Sequence, residues 1–170
     1  SNKISFPNER SAGFVFLINR PRPHSPALFR STRRGPTMAG ETSLRTLLRT
    51  LTPELNPGDY VFCTCAAGAL PNGAEPLASF REREGLTLVL ERRQAERLGL
   101  PYEYVAAWIT LTVHSSLAAV GLTAAFATTL AEAGISCNVM AGYFHDHLFV
   151  ARDEGRRALA VLQRLAAEAH

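Results

Sequence analysis

Between Ile109 and Val150 the spacing of apolar residues changes from two to about 3.6 and back to two, and few folds accommodate that order. Ile109, Leu111 and Val113 alternate with Thr110, Thr112 and His114, the pattern of a half-buried strand. Ser115 and Ser116 supply hydroxyls of the kind that cap a helix, and Gly121 permits a tight turn. From Leu122 an apolar stripe of Leu122, Ala125, Phe126, Leu130 and Ala133 predicts a helix stopped by Gly134. Ile135 to Gly142 and His147 to Ala151 read as two strands of a hairpin joined through Tyr143 to Asp146. Glu154 to Glu168 closes the stretch as an amphipathic helix with Leu159, Val161, Leu162 and Leu165 inward. Strand, helix, strand, strand, helix is the order of a ferredoxin-like α+β sandwich, with helices on one face of an antiparallel sheet and only its last strand missing.

The preceding residues read as a reduced copy of this unit. Leu44, Leu47, Leu48 and Leu51 have helical spacing within Glu41 to Leu51, Pro53 bounds that helix, and Asn56, Pro57 and Gly58 form a turn. Tyr60 to Cys65 is a compact strand, and the following AAGALPNGAEP is an exposed loop. Leu77 to Arg83 and Leu86 to Leu90 read as strands broken at Glu84 and Gly85, and Glu91 to Leu98 as a short helix ended by Gly99 and Pro101. Two interlocked subdomains are expected, residues 41–104 and 105–170.

Residues 1–37 stand apart, with seven Lys+Arg against one acidic residue, which leaves 11 basic and 14 acidic residues for the rest. An Arg-rich, acid-poor start is compatible with a transit peptide, a disordered arm, or a non-native leader ahead of a start at Met38, and the last reading is favoured. The mildly acidic body argues against a nucleic-acid partner. No apolar run approaches the ~18 residues needed to cross a bilayer, so no membrane partner is expected. Three cysteines, Cys63, Cys65 and Cys137, make an odd set unsuited to a secreted disulfide framework, and a reducing cytoplasm is the expected setting.

Two places bear chemistry. The loop from His114 to Gly121 leads from a strand end to a helix N-terminus, where unpaired N–H groups favour an anion, although capping by Ser115 and Ser116 explains the residues equally well. Tyr143, Phe144, His145, Asp146 and His147 form the second: alternation puts the two histidines on one side and Asp146 on the other, where its carboxylate either receives a ligand ammonium or guanidinium or braces the turn. A metal site is not expected, because the histidine and cysteine pairs are spaced by one residue and Cys63 and Cys65 sit in an apolar strand. Cys137 lies between Ser136 and Asn138 in a strand and reads as a buried thiol rather than a nucleophile. Phosphate loops, nucleophile elbows and zinc-protease signatures are lacking.

The sequences HSSLAAVGLTAAFATTLAEAGISCNVMAGYFHDHLFV and ASFREREGLTLVLE resemble small bacterial proteins built from tandem ACT domains, modules that sense amino acids for biosynthetic enzymes. The similarity runs from about Glu41 to the C-terminus. The resemblance implies a cytoplasmic, non-catalytic protein without cofactors, a homodimer that binds a small amino acid between two ACT units. It implies ligand contacts at His114, Ser115, Ser116, Leu117, Val120 and Gly121, with Ile135, Ser136, Cys137 and Asn138 taking main-chain atoms and Tyr143, His145 and Asp146 the side chain. Arg81 and Glu82, in an FRE-type sequence, are implied as the frame of an interdomain pocket. In the family two incomplete units complete one another's sheets, which accounts for the missing strand. The alternatives are a ligand-free oligomerisation module and a small enzyme using His114, His145 and Asp146.

Overall fold

The computed structural model describes residues 43–66, 70–113 and 120–169. Helix α1 (Leu44–Thr50) is followed by strands β1 (Thr52–Leu55), β2 (Tyr60–Cys65), β3 (Ala78–Arg81) and β4 (Leu86–Glu91), then by helix α2 (Arg92–Arg97). Strand β5 (Val105–Thr112), helix α3 (Leu122–Glu132), strands β6 (Cys137–Ala141) and β7 (Asp146–Ala151), a single 3-10 turn (Arg152–Glu154) and helix α4 (Gly155–Glu168) complete it. The seven strands form one antiparallel sheet in the order β3-β4-β2-β5-β7-β6, with β1 also paired to β5.

All the helices of the described residues pack on one face, as the α+β sandwich reading requires. Directly paired residues of antiparallel strands share a face. Ala107, Ile109 and Leu111 of β5 and Leu148 and Val150 of β7 join Leu47 of α1, Phe126 and Leu130 of α3, and Val161 and Leu162 of α4 in one core. Val61 pairs with Val105, so the smaller core of Val61, Cys63, Leu88 and Leu90 around Ala95 of α2 continues that face. On the opposite face Val89, Ala106 and Phe149 are buried beneath Tyr60, Phe62, Tyr104, Trp108 and Met140, with no helix residue among them.

Strand β5 belongs to both halves. Ile109 to Thr112 pair with β1, Val105 and Ala106 pair with β2, and Ala106 to Leu111 pair with β7 on the other side. The missing last strand of the C-terminal unit is supplied by β1, and the last strand of the N-terminal unit by the start of β5. β1 falls where the sequence reading ends a helix and enters a turn. Its Thr52, Pro53, Glu54 and Leu55 alternate exposed and inward, and among the described residues β1 pairs only with β5, an edge position where Pro53 is admissible. β5 also begins four residues before the expected Ile109, in an apolar run that a central strand can bury on both faces. Gly121, at φ 99°, occupies the N-cap of α3, the place expected for Ser115 and Ser116, which lie outside the described residues.

The first residue of α4 rests directly on β5. A Cβ on Gly155 would come within 2.7 Å of the Ala107 Cβ and 3.4 Å of Leu55. Gly155→Ala is therefore expected to lift α4 from the sheet and to cost about 1–3 kcal/mol in chemical denaturation, in the range of other overpacked sites. A stability equal to wild type would show that the contact yields freely.

Candidate functional site

The candidate site lies at the end of the sheet where β5 leaves for α3. Val113 is buried, residues 114–119 are outside the described set, and the chain is described again at Val120, which is 84% exposed, and Gly121. The proposed contacts His114, Ser115, Ser116 and Leu117 thus fall outside the described residues. Helix α1 closes over the near side, since a Cβ on Gly121 would sit 3.1 Å from Leu44 Cδ2.

Asp146 begins β7 at this same end. It pairs with Leu111 on one side and Ala141 on the other. Leu111 is fully buried in the core beneath the helices, so Asp146 points to the helix face next to the β5 exit. Its side is half-buried, and burial holds the carboxyl above the usual carboxylate range, with neighbouring His145 pulling it partly back. No hydrogen-bond donor from the described residues reaches this carboxylate. The His145 Nδ1 is also enclosed, without a hydrogen-bond partner among the described residues.

The hairpin that carries these two residues is tight. Gly142 N–H donates to the His145 carbonyl at 2.9 Å, and a Cβ on Gly142 would lie 2.7 Å from that oxygen and 3.1 Å from His147 Nε2. At its tip Tyr143 and Phe144, 79% and 61% exposed, stack edge to face with centroids 4.8 Å apart. His147 turns to the opposite face, where Trp108 Nε1 donates to its Nδ1 at 3.2 Å and Thr110 Oγ1 lies 3.3 Å from the same nitrogen. Burial, and then His145, hold the His147 imidazole below its ordinary value.

The remaining predicted residues lie elsewhere within one chain. Ile135 is in the core, Ser136 is exposed, Cys137 pairs with Val150 on the helix face and Asn138 with Phe149 on the open face. Because Asp146 pairs with Ala141, the start of β6 at Cys137 is about 13 Å from it along the strand. Arg81 ends β3, at the far edge of the sheet and about 19 Å, or four strand spacings, from β7. Glu82, just beyond it, is tied into the β3–β4 turn, its N–H donating to the Gly85 carbonyl and its carboxylate accepting from Thr87. Burial pushes the Cys137 thiol up, and burial with Cys65 nearby does the same to Cys63, away from a reactive thiolate. Among the described residues no group of three or more His, Cys, Asp or Glu is placed to hold a metal ion, and no helix is long and apolar enough to cross a membrane.

The turn Asn56–Asp59 is a second polar centre that the sequence reading passed over as a simple turn. Asn56 Nδ2 donates to Thr110 Oγ1 at 2.9 Å, and the Asp59 carboxylate accepts from Arg152 at 2.8 Å. Open grooves of about 520 and 440 Å³ flank it. Nothing in NPGD distinguishes a bridging aspartate from one that stabilises its own turn.

Two ACT domain models match the chain, over residues 39–107 and 103–164. A crystal structure from Vibrio cholerae, of a protein of unknown function described as a possible transport protein, is 56% identical over 72% of this chain and 95% of its own, with a TM-score of 0.66. A protein from Agrobacterium tumefaciens is 18% identical, covering 68% of this chain and 89% of its own, with a TM-score of 0.54. The regulatory subunit of aspartate kinase from Thermus flavus shares the fold at 9% identity, covering 68% and 97% of the two chains, with a TM-score of 0.54. No curated protein matches the chain.

Proposed function

Since the chain belongs to the ACT domain family, with two such domains in tandem, we propose that it is a cytoplasmic regulatory protein that binds a small amino acid and performs no chemistry of its own. The two units are residues 41–104 and 105–170, preceded by an N-terminal extension, and the working assembly is a homodimer. The observation that carries this reading is Asp146, a half-buried carboxylate at the mouth of the β5–α3 loop with no donor from the described residues. Leaving an acidic group without a partner in a desolvated place costs free energy, and a ligand ammonium removes that cost through a charge-assisted hydrogen bond. The α-carboxylate goes to the loop 114–121, with its glycine at the helix start. His145 Nδ1 and Tyr143 border the ligand side chain.

An allosteric module regulates by binding its ligand differently in two states. In a homodimer a ligand beside Asp146 would be shared with the neighbouring copy, so occupancy and assembly would be linked. Calorimetric titration of the full chain with each of the twenty amino acids tests the function. Saturable binding of one or a few is expected, and twenty flat titrations contradict it.

A further inference from the structure

Strands β1 and β2 lie along one edge of β5 as a single interrupted ribbon. Leu55 is opposite Ile109 and Tyr60 is opposite Ala106, so Asn56 to Asp59 face only Ala107 and Trp108, and two residues bulge out. Gly58, at φ 97°, makes the bulge possible. Polar groups on both sides of it are tied to one unit or the other. Asn56 N–H donates to the Trp108 carbonyl at 2.8 Å, and the Asp59 carbonyl accepts from Arg92 N–H at 2.8 Å. The Asp59 carboxylate accepts from Arg152 Nε at 2.8 Å, and its other oxygen lies 3.9 Å from Arg92 Nη1.

The two arginines occupy the same place in the two halves. Arg92 follows β4 and opens α2; Arg152 follows β7 and opens the turn into α4. Arg92 also donates to Glu96 at 2.9 Å and to the Tyr102 hydroxyl at 3.0 Å, which carries the network to the segment that enters β5. Asp59 and Gly58 line both flanking grooves. Each ion pair is partly exposed and screened by solvent, so neither contributes much to stability by itself. A single carboxylate divided between equivalent cations does something else: it makes the position of one depend on the other.

We infer that Asp59 is a clasp between the two units, through which movement of one unit's second helix is transmitted to the other's. This goes beyond ligand binding at Asp146 and stands without it. Hydrogen exchange on the full chain tests the clasp, comparing wild type, Asp59→Asn, Arg92→Gln and the double variant. Asp59→Asn is expected to speed local exchange about two- to fivefold in both α2 and the first turns of α4. Arg92→Gln is expected to speed exchange in α4 when Asp59 is present and to have no further effect there when it is Asn. Arg152→Gln gives the reciprocal reading at α2, and it serves alone if Asp59→Asn does not fold. Changes confined to the mutated unit, an Arg92→Gln effect on α4 that survives without Asp59, or no change in either helix overturns the inference.

Discussion

Replacing Ile109 by alanine is expected to destabilise the whole body by about 2–5 kcal/mol, a large part of the ~5–15 kcal/mol that holds a domain of this size. Ile109 is fully buried, lies opposite Leu55 of β1 and Leu148 of β7, and belongs to the core under α1, α3 and α4. The midpoint of thermal unfolding is expected to fall by about 10–20 °C. Because β5 also closes the N-terminal half through Val105 and Ala106, helix loss by circular dichroism and fluorescence of the sole tryptophan, Trp108 on β5, are expected to move together. Two separated transitions, with the N-terminal half unchanged, contradict the shared strand.

Asp146→Asn is expected to act in opposite directions on binding and on stability. Removing the carboxylate takes a charge-assisted bond of about 1.5–3 kcal/mol from an amine ligand, a loss of about 10- to 150-fold in affinity. Stability is expected to rise at neutral pH by about 1 kcal/mol, the low end for an unsatisfied acceptor because the group is only half-buried. The folded carboxyl titrates above its unfolded value, so between the two values the folded chain binds more protons and stability falls as pH rises. The gain in the asparagine variant is therefore full above the folded value and vanishes below about pH 3.9, the unfolded value. Denaturant titrations across pH 3–8 check it, and a variant less stable than wild type at pH 7 contradicts the reading of Asp146 as an unpartnered acid.

The periodic elements were legible because one side of each is buried. β2, β4, β7, α3 and α4 all announce themselves by alternation or by a helical stripe. Where burial is two-sided or a special residue intervenes, period fails. The apolar run before Ile109 hid the first half of β5, and Pro53 hid β1 because its tolerance depends on a neighbour 50 to 60 residues away in the chain. The division of Asp146 and His147 between the two faces was legible from strand alternation. That Asp146 has no donor among the described residues is a three-dimensional fact, since it depends on what the neighbouring elements bring near it. The same holds for Asp59, whose two arginines are 33 and 93 residues distant.

The central claim is that the Asp146 carboxylate is held for a ligand's ammonium. The direct measurement is calorimetric titration of the full chain with the amino acid it binds and with the N-acetylated form of the same compound, on wild type and Asp146→Asn. Saturable heat is expected for the free amine on wild type, with the acetylated compound and the variant both weakened at least tenfold, about 1.4 kcal/mol. Equal affinity for the acetylated compound, or undiminished binding by Asp146→Asn, contradicts it.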